Sequence, residues 1–80
     1  MAMDTVIPLT TLQAGTHAVI VSIQIPHENR GRLLEMGVLT GTRIELIRRA
    51  PLGDPLEIKV RGYNLSLRKH EADLILVRPA

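Results

Sequence analysis

Apolar and polar residues alternate through most of the second half of the chain. Leu56, Ile58 and Val60 are separated by Glu57 and Lys59, and Leu65 and Leu67 by Ser66. Period two with aliphatic residues on one side predicts two half-buried strands. Gly62-Tyr63 between them reads as a two-residue hairpin turn with glycine first. The same alternation runs through residues 17–25. There Val19, Val21, Ile23 and Ile25 share one face, and Ala18, Ile20, Ser22 and Gln24 the other, until Pro26 ends the strand. It recurs over residues 42–50, with Ile44 and Leu46 on one side and Arg43, Glu45 and Ile47 on the other, and a fifth segment at 74–78 closes the series. The predicted core is therefore Val19, Val21, Ile23, Ile44, Leu46, Leu56, Ile58, Val60, Leu65 and Leu67.

Helical signals are short. Residues 28–36 read as a helix with Leu33, Leu34 and Met36 on its apolar side. His27 or Asn29 is its cap, Glu28 sits at the positive end of its dipole, and Gly37 lies just past its end. Residues 69–73 make one helical turn. Residues 8–15 make a helical or 3₁₀ turn that buries Leu9 and Leu12, with Thr10 as its cap and Gly15 as its end. Residues 1–7 carry no pattern and are expected to be partly loose. Five strands within about sixty residues, joined by tight turns, predict a mainly β fold. The expected form is one small, closed or nearly closed barrel with a short helix after its first strand, spanning residues 1–80 as a single domain.

Composition narrows the function classes. The chain has one Tyr, no Phe and no Trp, so the core is aliphatic. Neither an aromatic groove for proline-rich peptides nor a stacking platform for bases is available. A net charge of +2 is too small to predict nucleic-acid binding. Arg48, Arg49, Lys59, Arg61, Arg68 and Lys69 are interrupted by Glu45, Glu57 and Glu71 and read as a solvated face. The longest apolar stretch, residues 18–25, contains Ser22 and Gln24 and falls far short of the roughly 20 residues that span a bilayer. No secretory pattern is visible, and Cys is absent, so the expectation is a cytoplasmic, non-membrane protein.

Candidate chemistry is sparse. His17, His27 and His70 are widely separated. The nearest approach to a metal-ligand cluster is His70, Glu71 and Asp73, which lacks the spacing of known zinc sites, and no metal or cofactor is expected. Without Cys, with Ser66 pointing outward and with its acids in turns or outward strand positions, the chain offers no catalytic group. No enzyme is expected. One feature points to contact with a partner. Leu33, Leu34, Met36, Val38 and Leu39 are five apolar residues in seven positions, more than one face of so short a helix can bury. Some of them should stay exposed as an interaction patch, unless all five seal one end of the barrel.

The motifs resemble a known family. L-x-x-L-x-x-G at residues 9–15, RLLEMG at 32–37, V-x-x-G-T at 38–42 and RRAPLGDPLEIKVRGYNLSLRKHEA at 48–72 are similar to the FeoA family, small cytoplasmic components of bacterial ferrous iron transport. The resemblance runs from Pro8 to Pro79, and its most specific part joins residues 50–55 to residues 60–63. Met36 stands where family members often carry Leu, a volume-conserving change. The resemblance implies an SH3-like barrel. It also implies an accessory or regulatory role beside FeoB, a membrane permease with a cytoplasmic GTPase domain. A related barrel occurs in some iron-dependent repressors. The family offers no catalytic residues to carry over. Alternative readings are a module that senses Fe²⁺ through surface acids and His, and a basic nucleic-acid-binding barrel.

Overall fold

In the computed structural model, which describes residues 5–80, six antiparallel strands form one sheet. They are β1 (Ile7–Pro8), β2 (His17–Ile23), β3 (Arg43–Arg49), β4 (Leu56–Val60), β5 (Tyr63–Leu67) and β6 (Ile75–Pro79), in the order β1-β6-β2-β3-β4-β5. Two helices, α1 (Gly31–Glu35) and α2 (Lys69–Ala72), and 3₁₀ turns at Leu9–Thr11 and His27–Asn29 fill the connections. The strands foreseen from alternation are all present, with ends displaced by one or two residues. The sixth, β1, is too short to carry a pattern. Ile7 pairs with Val77 and packs against the core, so the looseness expected for residues 1–7 does not reach it. Residues 1–4 lie outside the described part.

Two bulges correct the sequence reading. In the β2–β6 ladder Ile20 faces Val77 and Ser22 faces Leu76, which leaves Val21 as an extra residue. Before the bulge the inward residues are Ala18 and Ile20; after it, Ile23 packs on the core and Ile25 is buried. Val19 and Val21, expected inside, are only half-buried. An uninterrupted period of two cannot register a one-residue insertion, and so it assigned the first half of β2 to the wrong face. The β3–β4 ladder repeats the device at Ile47. That bulge turns Arg49 to the side of Leu46, where its guanidinium donates to the carbonyl oxygens of Thr10 and Leu12. Arg49 thereby leaves the solvated basic face and ties β3 to the N-terminal 3₁₀ turn. Leu9 and Leu12 of that turn are buried as expected, but Thr10 does not cap it.

The rest of the predicted core is correct: Ile44, Leu46, Leu56, Ile58, Val60, Leu65 and Leu67 are buried, joined by Leu33, Val38, Ala72, Ile75 and Val77. No polar or charged residue is buried among the described residues. The β4–β5 hairpin turns one residue earlier than expected. Val60 pairs with Tyr63, so Arg61 and Gly62 are the turn residues, with φ of 53° and 82°. Positive φ at both is a type I′ turn, whose twist matches the flanking strands. The single helix expected over 28–36 is divided into a 3₁₀ turn and α1. At the junction the Arg30 guanidinium donates to the carbonyls of Ile25 at 2.7 Å and Ile23 at 2.9 Å, holding the end of β2 against the start of α1.

Candidate functional site

The end of α1 sorts the five apolar candidates by backbone geometry. Gly37 lies past the helix at φ +93°. Its N–H donates to the Leu34 carbonyl at 3.0 Å, and the Val38 N–H donates to the Leu33 carbonyl at 2.9 Å. This pair of bonds is a Schellman motif, which brings the third residue before the cap against the second residue after it. Those residues are Leu33 and Val38, and both are fully buried. Leu34 and Leu39, displaced by one position from each, are turned outward and are each 40% exposed, while Met36 is half-buried against the core. The cluster is thus neither a wholly open patch nor a plug for one end of the barrel.

Leu34, Met36, Gly37 and Leu39 form one wall of a groove of about 410 Å³, with Glu35 on the same side and Arg61 and Tyr63 of the hairpin opposite. Tyr63 is 66% exposed. The aliphatic stem of Arg61 lies across Gly37. A methyl group placed on Gly37 would stand 2.7 Å from Arg61 Cδ. Arg61, expected in the basic band, and Tyr63, the lone aromatic, are thus brought into the groove by the hairpin. The type I′ turn that the β4–β5 pairing reveals holds the hairpin tip beside the helix end.

Two of the three weak metal candidates, Glu71 and Asp73, are held by other bonds. Glu71 Oε1 accepts from the Arg68 N–H at 3.0 Å, and Glu71 Oε2 takes the Arg32 guanidinium at 3.1 Å. Asp73 accepts from the Thr10 hydroxyl at 2.7 Å and lies 3.5 Å from Lys69 Nζ. The Thr10 bond, aided by Lys69, holds the Asp73 carboxyl below its usual pKa. His70 lies with Glu71 beside Ile25, Pro26, Asn29 and Leu74 in a shallow cleft. Among the described residues no group of three His, Asp or Glu side chains is placed to hold a metal ion, so the residues present do not fit such a centre. A second cleft, of about 240 Å³, lies beside Arg48, Pro51, Pro55, Glu57 and Ser66. Both of its arginines are engaged, Arg48 Nε donating to Glu57 at 3.0 Å and Arg49 to the Thr10 and Leu12 carbonyls.

Comparison with known proteins places this geometry in a family. The model of the FeoA domain matches residues 7–79. The Fe(2+) transport protein A/Fe(2+) transporter FeoB fusion protein of Porphyromonas gingivalis is 41% identical over 69 residues, covering 86% of this chain and 8% of its own length. The chain therefore spans less than a tenth of that relative. A FeoA-like protein from Clostridium acetobutylicum superposes with a TM-score of 0.83 at 36% identity, covering 96% of this chain and 90% of its own. FeoA from Stenotrophomonas maltophilia, solved with zinc and described as an SH3 domain protein, superposes at 0.71 with 33% identity over 86% of each chain. The mainly β sheet is thus SH3-like, and no helix among the described residues is long and apolar enough to cross a membrane. By its match over nearly the whole length, this chain belongs to the FeoA family, which is linked to ferrous iron transport.

Proposed function

We propose that the protein is a cytoplasmic accessory or regulatory component of ferrous iron uptake. It acts without catalysis, by contact with the cytoplasmic part of a FeoB-type GTPase-permease through the groove between α1 and the β4–β5 hairpin. The observation that carries this reading is the fusion relative, in which a domain 41% identical to this one shares a polypeptide with the transporter. Two proteins fused in one organism are commonly neighbours where they are separate. The groove supports the location. It gathers three of the large exposed apolar side chains, Leu34, Leu39 and Tyr63, beside Met36, whose flexible thioether adapts to a partner.

The test is co-purification with the transporter's cytoplasmic part, with and without guanine nucleotide, using the parent protein and Leu39→Gln. Leu39 is partly exposed, so the variant should keep its melting temperature while losing the partner. Binding at parental strength by a folded Leu39→Gln protein places the contact elsewhere.

A further inference from the structure

Resting on that reading of the groove, we propose that Arg61 sets its specificity. The groove seats an apolar side chain of a protein partner, and the Arg61 guanidinium takes a carboxylate beside it in the partner's sequence.

Three observations converge on Arg61. The first is conformational. Arg61 has φ 53°, the one positive value outside glycine among the described residues. The first position of a type I′ turn favours Asn or Gly, and Asn-Gly is the strongest hairpin pair. Arginine stands at a position where asparagine would fold more easily. The second is electrostatic. Arg30 and Arg49 donate to carbonyl oxygens, and Arg32, Arg48 and Arg68 are paired with carboxylates. The Arg61 guanidinium, like those of Arg43 and Arg78, makes no hydrogen bond or ion pair among the described residues, although Glu35 lines the same groove as Arg61. The third is position. Arg61 borders both the apolar groove and a neighbouring depression lined by Arg43, Lys59 and His17, where Glu45 is the one acid. The hairpin side of the groove is therefore cationic, and Glu35 marks the helix side as anionic. A bound segment is oriented by this contrast, with its carboxylate toward the hairpin and its apolar side chain against Leu34, Met36 and Leu39.

A guanidinium presents a planar fork of donors that suits a carboxylate. Partly exposed, it adds on-rate and salt sensitivity as well as affinity. The competing use of Arg61 is internal: its stem packs over Gly37. Two substitutions separate the uses. Arg61→Met keeps an apolar stem and removes the charge. Arg61→Asn removes both and suits the turn.

Binding of the transporter's cytoplasmic part is measured at about 50 and about 300 mM salt, where screening differs strongly. Melting temperatures are measured in parallel. Arg61→Met and Arg61→Asn should each weaken binding about tenfold at low salt and flatten the salt dependence, the loss expected for one charge-assisted contact. Arg61→Asn should melt at or above the parent. Arg61→Lys should recover part of the affinity. If Arg61→Met binds with parental affinity and salt slope while Leu39→Gln does not bind, the proposal for Arg61 fails and the groove reading stands. If Arg61→Met and Leu39→Gln both bind as the parent does, the groove reading fails and takes this one with it. A destabilised Arg61→Asn alongside a fully binding Arg61→Met assigns the residue to packing and also overturns the proposal.

Discussion

Replacing Gly37 with alanine tests how α1 is joined to the hairpin. Gly37 sits at φ +93°, where an L side chain is strained, at a cost of about 1–2 kcal/mol. The added methyl also stands 2.7 Å from Arg61 Cδ and 3.0 Å from Nε, so the arginine stem must move. Displacing it from a staggered rotamer adds about 0.5–1.5 kcal/mol. Alanine restricts the unfolded chain more than glycine does, which offsets about 0.4–1 kcal/mol. The net loss is about 0.5–3 kcal/mol. In a domain of this size each kcal/mol lowers the melting temperature by about 4–8 °C, so a fall of about 2–24 °C is expected. Urea denaturation should show a lower midpoint with an unchanged slope, since the same surface is exposed on unfolding. In an Arg61→Asn background the steric part disappears while the backbone part remains, and the same substitution should cost less by the rotamer share. A Gly37→Ala protein that melts with the parent would refute both the left-handed requirement and the contact with Arg61. Equal losses in the two backgrounds would refute the contact alone.

The remaining predictions concern other joints of the fold. Arg49→Met leaves the Thr10 and Leu12 carbonyls without the guanidinium and should cost about 1.5–3 kcal/mol, with faster amide exchange around the 3₁₀ turn as the accompanying sign. Val60→Asp places an unpaired carboxylate at a fully buried position of a small aliphatic core, and cooperative unfolding should vanish. Thr10→Val removes the hydroxyl that holds the Asp73 carboxyl below its usual pKa. A depressed folded-state pKa supplies stability that is present above the unfolded-state value and is lost as pH falls through the folded-state one. The parent should therefore out-melt Thr10→Val at about pH 7, and the gap should narrow as pH falls through and below the ordinary carboxylate range; a gap independent of pH would mean that the hydroxyl acts through packing alone.

The fold was legible where the strands are regular and illegible where one residue is inserted. β4 and β5 obey period two throughout, and every apolar residue assigned inward there is buried. β2 has the most β-branched residues and was read onto the wrong face over Val19 and Val21, because Val21 is bulged. With valine or isoleucine at every position from 19 to 21, the sequence favours a strand but does not say which side faces in. The bulge is set by pairing with β6, a partner distant in sequence. The hairpin error has a similar origin. Gly62 suits the second position of a type I′ turn as well as the first position of a type II′ turn, and the ladder pairing of Val60 with Tyr63 decides between them.

The site was half legible for a different reason. A count of apolar residues over 33–39 shows that too many are present for one face, but the count alone does not sort them. The Schellman bonds do: they commit Leu33 and Val38 to each other and so turn Leu34 and Leu39 out. Even then α1 supplies only one wall. The opposite wall comes from Arg61 and Tyr63, more than twenty positions along the chain, brought alongside by the turn of the hairpin and by the passage of the arginine stem across Gly37. Gly37 therefore has two roles that require the same missing side chain. Its left-handed φ divides the buried from the exposed leucines, and its bare Cα lets Arg61 approach. The groove exists only where both hold, so a larger residue at position 37 should disturb partner binding and stability together, whereas Leu39→Gln should disturb binding alone.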